Sequence, residues 1–394
     1  MKKVNIIGIG MSFDTVTREG IRAAESSEVL LGAPRMTAAF PDFKGEIYNE
    51  YLSDAVKKII SESEHETFSV LVSGDTGFYS ACEKLCAALS EYEVSVIPGI
   101  SSLNYFFAKL KTSWQDAALL SCHGRDGNIV ETVRRNKKTF VLTGGNIPKL
   151  GEKLCDAGFS ALKAYVGENL GTAEERITET FVSELSSFDF SSLSVMLIEN
   201  PEPESEVRFG IPDEEFLRGK VPMTKSEIRA VTMSALGVRP DSVCYDVGAG
   251  TGSVTVETAL AAYGGKVFAV ERNEEAVGLI RENLKKFHIG NAEVVPGFAP
   301  EALEALPAPD AVFIGGSGGG MDKIFEVIFE KNPKVRVVVN AIAIESVSAA
   351  VLAFKARGID PEIVQICAAR AKTAGGLHLM MAQNPIYIIS GGGK

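Results

Sequence analysis

The run Asp246-Val-Gly-Ala-Gly-Thr-Gly252 sets glycines at alternate positions between two apolar segments. Val243-Cys-Tyr-Asp246 reads as a strand end and Ser253 onward as a helix. Glycines at such a junction let backbone approach a ligand closely, and the helix start supplies unpaired N–H groups. Nineteen residues beyond Gly252, Glu271 closes the next apolar segment, where a carboxylate can accept both hydroxyls of a ribose. The chemistry implied is capture of a nucleoside-type ligand by backbone amides and one acid. A second loop, Gly315-Gly-Ser-Gly-Gly-Gly320, follows the apolar Ala311–Ile314 and precedes a helix near Met321. Its N–H groups suit an anion such as a carboxylate or phosphate. It lacks the Gly-Lys-Ser/Thr of a P-loop, so a nucleoside triphosphate is not expected. Met223-Thr-Lys-Ser-Glu227 reads as a capping box, with Thr224 as cap and Glu227 as its reciprocal partner.

Three further small-residue loops lie in the first half. Val4-Asn-Ile-Ile-Gly-Ile-Gly10, Ser73-Gly-Asp-Thr-Gly-Phe78 and Ile97-Pro-Gly-Ile-Ser-Ser102 each follow or contain a strand end. Singly they are ordinary turns. Together they put three loops at strand ends of an α/β sheet, where ligands bind.

The elements that position these loops follow from periodicity. Apolar runs at Val4–Ile9, Val29–Leu31, Ser69–Val72, Val94–Ile97, Ala117–Ser121, Thr139–Leu142, Lys163–Val166 and Ser194–Ile198 read as strands. Helical patterns such as Thr15–Ser26 and Leu52–Glu62 lie between them, which predicts a mainly parallel, doubly covered sheet. Glu199-Asn-Pro-Glu-Pro-Glu-Ser-Glu206 interrupts the series, and a second alternation starts after it. The domains expected are 1–200, a linker at 201–210, and 211–394. Two late apolar runs without an intervening helix, Glu362–Ala368 and Pro385–Ser390, predict an antiparallel hairpin at a sheet edge.

Composition narrows the function classes. The chain has 394 residues, 45% hydrophobic and 23% charged, and a formal net charge of −11. That charge, with only the short Arg134-Arg-Asn-Lys-Lys138 basic run, argues against nucleic-acid binding. The six cysteines show no metal spacing; Cys82 and Cys86 share a helix face and read as reduced thiols, and no metal site is expected. No run reaches the ~18 apolar residues of a membrane span. A cytoplasmic protein without a membrane partner is expected.

The glycine pattern decides the ligand class. A dinucleotide fingerprint needs Gly or Ala where this chain has Ser253. Led by Asp246, the pattern resembles class I S-adenosylmethionine (SAM) methyltransferases; an NAD(P)-dependent oxidoreductase is the alternative. The amino-terminal loops resemble the tetrapyrrole (class III) methyltransferases, with Thr76 where that family has proline. Ser121-Cys-His123-Gly-Arg125, Leu142-Thr-Gly-Gly145 and Gly167-Glu-Asn-Leu170 resemble its corrin-pathway branch. Joined in one chain, the two halves resemble the precorrin-6Y C5,15-methyltransferase (decarboxylating) family, including its fused cobalt-precorrin members. Phe209–Phe216, Met223-Thr-Lys, Val295-Pro-Gly-Phe-Ala-Pro-Glu301 and the 315–319 loop carry the likeness in the second half.

The resemblance implies a class III methylase fold for C-5 methylation, then a Rossmann-like class I fold for C-15 methylation and decarboxylation at C-12. It implies one SAM per domain, a precorrin or cobalt-precorrin substrate and a homo-oligomer. Carried onto this chain, the cofactor residues are Gly10, Gly74, Asp75, Thr76, Ser101, Ser102 and Gly145 in the first half. In the second they are Thr224, Asp246, Gly248, Ala249, Gly250, Thr251, Gly252, Glu271 and Ala299. Gly315, Gly316, Ser317, Gly318 and Gly319 are expected to cradle a substrate carboxylate. His123, Lys225, Arg370 and His378 are candidates for orienting substrate, each with an equal reading as a structural or surface residue. A non-catalytic tetrapyrrole-binding protein is a further alternative.

Overall fold

The computed structural model describes residues 1–122, 128–204 and 206–393. The chain divides into two compact units. One comprises Met1–Gly127, Asn136–Gly151 and Ala161–Glu202; the other Asn128–Arg135, Glu152–Ser160 and Pro203–Lys394. Two short segments read from the sequence as parts of the first domain thus group with the second unit.

The first unit contains two five-stranded sheets. Strands β1 (Lys3–Gly8), β2 (Val29–Leu31), β3 (Glu46–Tyr48), β4 (Thr67–Val72) and β5 (Glu93–Ile97) are all parallel, in the order β3-β2-β4-β1-β5. Near-continuous apolar runs in β1 and β4 fit a sheet covered on both faces. Val4, Ile6, Phe68 and Val70 pack on one side, and Ile7, Ile9 and Leu71 on the other.

The second sheet departs from the expected parallel arrangement. Strands β6 (Ala117–Ser121), β7 (Lys138–Leu142), β8 (Lys163–Glu168), β9 (Arg176–Phe181) and β10 (Ser194–Glu199) order as β6-β7-β10-β8-β9, and only β6 and β7 run parallel. A parallel neighbour needs a crossover of a dozen or more residues, usually a helix. Between Glu168 and Ser194 the chain forms β9 and a short 3₁₀ turn, so β8 folds back.

The second unit is built on a seven-stranded sheet. Its strands are β11 (Val243–Val247), β12 (Lys266–Glu271), β13 (Ala292–Pro296), β14 (Ala311–Ile314), β15 (Arg336–Ala341) and β16 (Glu362–Ile366). Strands β17 (Ala369–Ala374) and β18 (Leu377–Ala382) form a separate ribbon, and β19 (Ile386–Gly391) returns to the sheet. The order is β13-β12-β11-β14-β15-β19-β16, with β19 antiparallel to both neighbours. As expected, the two late runs pair antiparallel at a sheet edge, β16 being the edge strand beside β19, with the β17–β18 ribbon between them in sequence. Strand order reverses at β11, and a crevice opens at the carboxyl ends of strands at such a point. Among the described residues, no helix is long and apolar enough to cross a membrane.

Candidate functional site

The loop leaving β11 is fastened to β12. Gly248 and Ala249 N–H donate to the Val270 carbonyl at 2.9 and 3.2 Å, and Gly250 N–H donates to Glu271 Oε2 at 2.9 Å. Glu271 Oε1 accepts from the N–H groups of Arg272 and Asn273 at 2.9 and 3.0 Å. Three backbone donors therefore fix this carboxylate, whose two oxygens have about four acceptor positions. Gly248 and Gly250 have φ of +74° and +58°. A Cβ on Gly248 would lie 2.8 Å from the Gly316 backbone nitrogen and oxygen, and one on Gly250 2.8 Å from the Pro222 carbonyl oxygen. Only glycine fits both the dihedral and the space.

These groups open onto a cavity of about 1060 Å³. Of the residues singled out from sequence, Thr224, Gly248, Ala249, Gly250, Glu271 and Ala299 line it. So do Lys225, Gly315, Gly316, Ser317 and Gly318. Gly315 N–H is taken by the Val247 carbonyl and Gly320 N–H by the Ser317 carbonyl, both at 2.9 Å. The N–H groups of Ser317, Gly318 and Gly319 have no protein acceptor among the described residues. Gly318 also lies under Phe298, whose ring stacks against the Arg272 guanidinium.

Asp246, Thr251 and Gly252 sit outside the cavity lining. Asp246 is 1% exposed, accepts from Thr255 Oγ1 at 2.5 Å through Oδ2, and has no hydrogen-bond partner at Oδ1 among the described residues. Burial pushes its carboxyl up from 3.8 to about 7, and Glu271 adds to the rise. The folded chain therefore holds this proton more tightly than the unfolded chain. The group disfavours folding least below pH 3.8, and its cost grows as pH rises through about 7. Asp246→Asn, which stays neutral, is expected to raise Tm more at pH 8 than at pH 5. An equal offset at both values in calorimetry would refute this.

The capping box is replaced by longer-range pairing. Helix Ser226–Leu236 starts after Lys225, which gives no side-chain cap, and Asp213 Oδ1 accepts from Ser226 N–H at 3.0 Å instead. Glu227 is engaged by Arg370 through two 2.7 Å hydrogen bonds, which hold its carboxyl down at about 2. A bidentate charged pair outcompetes the neutral N-cap contact. Arg370 also lies 3.1 Å from Asp213, and Lys225 3.7 Å from it. Both cations thus have carboxylate partners, and Arg370 lies outside the cavity lining. His378 is exposed on β18, also outside it. His123 lies outside the described residues.

Sequence reading missed a buried network under the cavity's strap, residues 210–225. Arg229 and Glu257 are 0% exposed and pair at 2.5 Å. Arg229 also donates to the Thr224 and Ile211 carbonyls, while Glu257 accepts from Gly210 and Ile211 N–H at 3.0 and 2.9 Å. Asn283 receives Leu217 N–H at 2.8 Å and donates to the Leu217 and Thr251 carbonyls, joining strap to glycine loop. The available signal was Glu257 alone among the small and apolar residues Ser253-Val-Thr-Val-Glu-Thr-Ala-Leu-Ala261.

In the first unit the three loops meet. Gly10 and Gly74 exchange backbone hydrogen bonds at 3.1 and 3.0 Å, and Asp75 accepts from Gly77 and Gly99 N–H at 2.9 and 3.2 Å. Ser101 caps helix Ser102–Lys109 by accepting from Asn104 N–H. Thr76, half-buried, lies beside Asp75 in the same loop. Gly145 follows β7 in the other sheet, its N–H 3.4 Å from Thr143 Oγ1. Cys82 and Cys86 are free thiols 3.9 Å apart, and burial pushes Cys82 up to about 11.

Comparison with known proteins places both units. Residues 3–186 match the family described as tetrapyrrole (corrin/porphyrin) methylases, and residues 215–391 match the precorrin methyltransferase domain. A Sinorhizobium sp. protein named precorrin-6Y C(5,15)-methyltransferase (decarboxylating) is 31% identical over 387 residues, covering 95% of this chain and 92% of that one. A Pyrobaculum calidifontis protein named "Probable cobalt-precorrin-6B C(15)-methyltransferase (decarboxylating)" is 44% identical over 184 residues, 46% of this chain and 94% of that one. A solved structure of precorrin-6y C5,15-methyltransferase from Geobacter metallireducens is 39% identical, covers 47% of this chain and 97% of its own, and superposes with a TM-score of 0.45. Through the relative that matches nearly end to end, the chain belongs to the precorrin-6Y C5,15-methyltransferase (decarboxylating) family, a family of S-adenosylmethionine-dependent methyltransferases.

Proposed function

We propose that this chain methylates a precorrin-6 type tetrapyrrole at C-5 and C-15 and removes carbon dioxide from the C-12 acetate, in cobalamin biosynthesis. The first unit is assigned C-5, the second C-15 and the decarboxylation, with one SAM in each. The observation that carries the second assignment is the Gly248–Gly250 loop pinned to Glu271 in the lining of the 1060 Å³ cavity. Small-molecule pockets span about 300–1,000 Å³. This one, just above that range, has room for an acceptor beside the donor.

Bound there, SAM supplies an electrophilic sulfonium methyl group. The chain's own residues then position and shield. The Glu271 carboxylate, fixed by the Gly250, Arg272 and Asn273 amides, turns its remaining acceptor capacity to the nucleoside, and positioning supplies much of the catalysis in such a transfer. The reduced macrocycle brings its own nucleophilic meso carbon, so no strong protein base is required. Ser317 and Gly318 line the cavity with N–H groups that have no protein acceptor among the described residues and suit an acceptor carboxylate, Lys225 lines the same cavity, and Gly319 lies outside the lining. The strap and the apolar side chains of Met223, Ile228 and Phe313 exclude water, which favours loss of carbon dioxide from a desolvated acetate.

Mass spectrometry of the product tests the reading. A gain of two methyl groups and loss of one carboxyl is expected, and running metal-free and cobalt-loaded acceptors side by side identifies the preferred one. A product lacking both methyl groups with either acceptor would refute it.

A further inference from the structure

The donor-binding groups sit on β11 and β12, at one end of the cavity. The cavity continues past β14 to the turn after β15 and the Gln383–Asn384 segment before β19. With strands about 4.8 Å apart, β12 and β15 are separated by roughly 14 Å, three strand spacings. At that far end stands Ala341-Ile-Ala-Ile344, with Ile342 60% and Ile344 77% exposed. Ile342 and Ala343 line the cavity, and Ile344 is the next residue.

This choice of residues is costly to the fold itself. Helix Ile344–Lys355 starts here with Ala343 as cap residue and no side-chain cap. Ser, Thr, Asp or Asn would serve better at that place, and turns ordinarily take polar residues or glycine. The chain instead shows water Ile342 in the lining of its ligand cavity and Ile344 just past it in sequence, and Ser346, Gln383 and Asn384 add polar groups to the same lining.

Resting on the function proposed above, we propose that the Ile342–Ile344 turn is a platform for the tetrapyrrole acceptor. The two isoleucines pack on the apolar face of the macrocycle, and Gln383 and Asn384 face its polar periphery. Donor and acceptor thus occupy opposite ends of one cavity, and the two isoleucines act on acceptor affinity alone.

The test compares the full-length wild type with Ile342→Ser/Ile344→Ser and with the conservative Ile342→Val/Ile344→Val. SAM affinity by calorimetry, acceptor KM for C-15 methylation, and mass by light scattering are measured for each. The serine variant should bind SAM within about twofold of wild type while its acceptor KM rises at least about tenfold, the lower bound for losing apolar pocket contacts. The valine variant should stay within about threefold in both. An unchanged KM in an active serine variant overturns the platform, as does a change in assembly mass at constant KM, which would make this surface a contact between copies. Absence of C-15 methylation in the wild type would instead overturn the proposed function, and the platform with it.

Discussion

Gly250→Arg is expected to abolish SAM binding in the second unit while C-5 methylation stays measurable. The arginine must adopt φ near +58°, a left-handed conformation that costs an ordinary residue about 1–2 kcal/mol. Its Cβ would also meet the Pro222 carbonyl oxygen at 2.8 Å, so strap or loop must shift. Either shift pulls the Gly250 amide from Glu271 and fills the donor end of the cavity with a long side chain. Losing one charge-assisted hydrogen bond and the binding volume together should weaken binding at least ~100-fold, or about 2.7 kcal/mol. Calorimetry on the full chain should show SAM binding of the second unit gone, and the product should carry the C-5 methyl alone. Loss of both methyl groups from a folded protein would contradict the assignment of one donor site to each unit.

Breaking the Arg229–Glu257 pair should give the largest stability loss of any single substitution in the second unit. Arg229→Met leaves a carboxylate at 0% exposure and frees the Thr224 and Ile211 carbonyls of their donor. Removing one partner of a buried ion pair costs about 3–5 kcal/mol. At roughly 2–4 °C per kcal/mol for a unit of this size, the melting transition should fall by about 10 °C. Glu257→Leu orphans the Gly210 and Ile211 amides as well as the guanidinium and should cost a similar amount. The double variant removes both charges, so its loss should fall well short of the sum of the two, read as a coupling energy in a double-mutant cycle. Additive losses would mean that the two charges stabilise the unit independently.

The strands that carry the loops were legible because their runs of Val, Ile and Phe are buried on both faces, and β1, β4, β11, β12 and β14 stand close to where the periodicity puts them. The sense of later strands was not. Apolar content does not state direction, and β9 and β17 alternate small, polar and charged residues with little apolar signal. At the site, the glycines and Glu271 were legible because their roles are local to one strand–loop–helix turn. The roles of Arg229 and Arg370 were not, since their partners lie 28 and 143 residues away in sequence. Glu227 shows the difference most clearly. Its spacing from Thr224 fits a capping box, but a guanidinium brought by β17 takes the carboxylate. Asp246 was read with the cofactor residues because it leads the glycine run, whereas β11 is buried on both faces from Cys244 to Val247 and its carboxylate lies outside the cavity lining.

The two amides held by Glu257 bear on how the catalytic halves can be separated. The recognisable precorrin methyltransferase region starts at residue 215, downstream of Gly210 and Ile211. A fragment cut there would keep every cavity residue named above and still lose two hydrogen bonds that hold the strap to the helix beneath it. The smallest self-sufficient second half therefore starts before Gly210, and part of the apparent linker belongs to the enzyme it introduces.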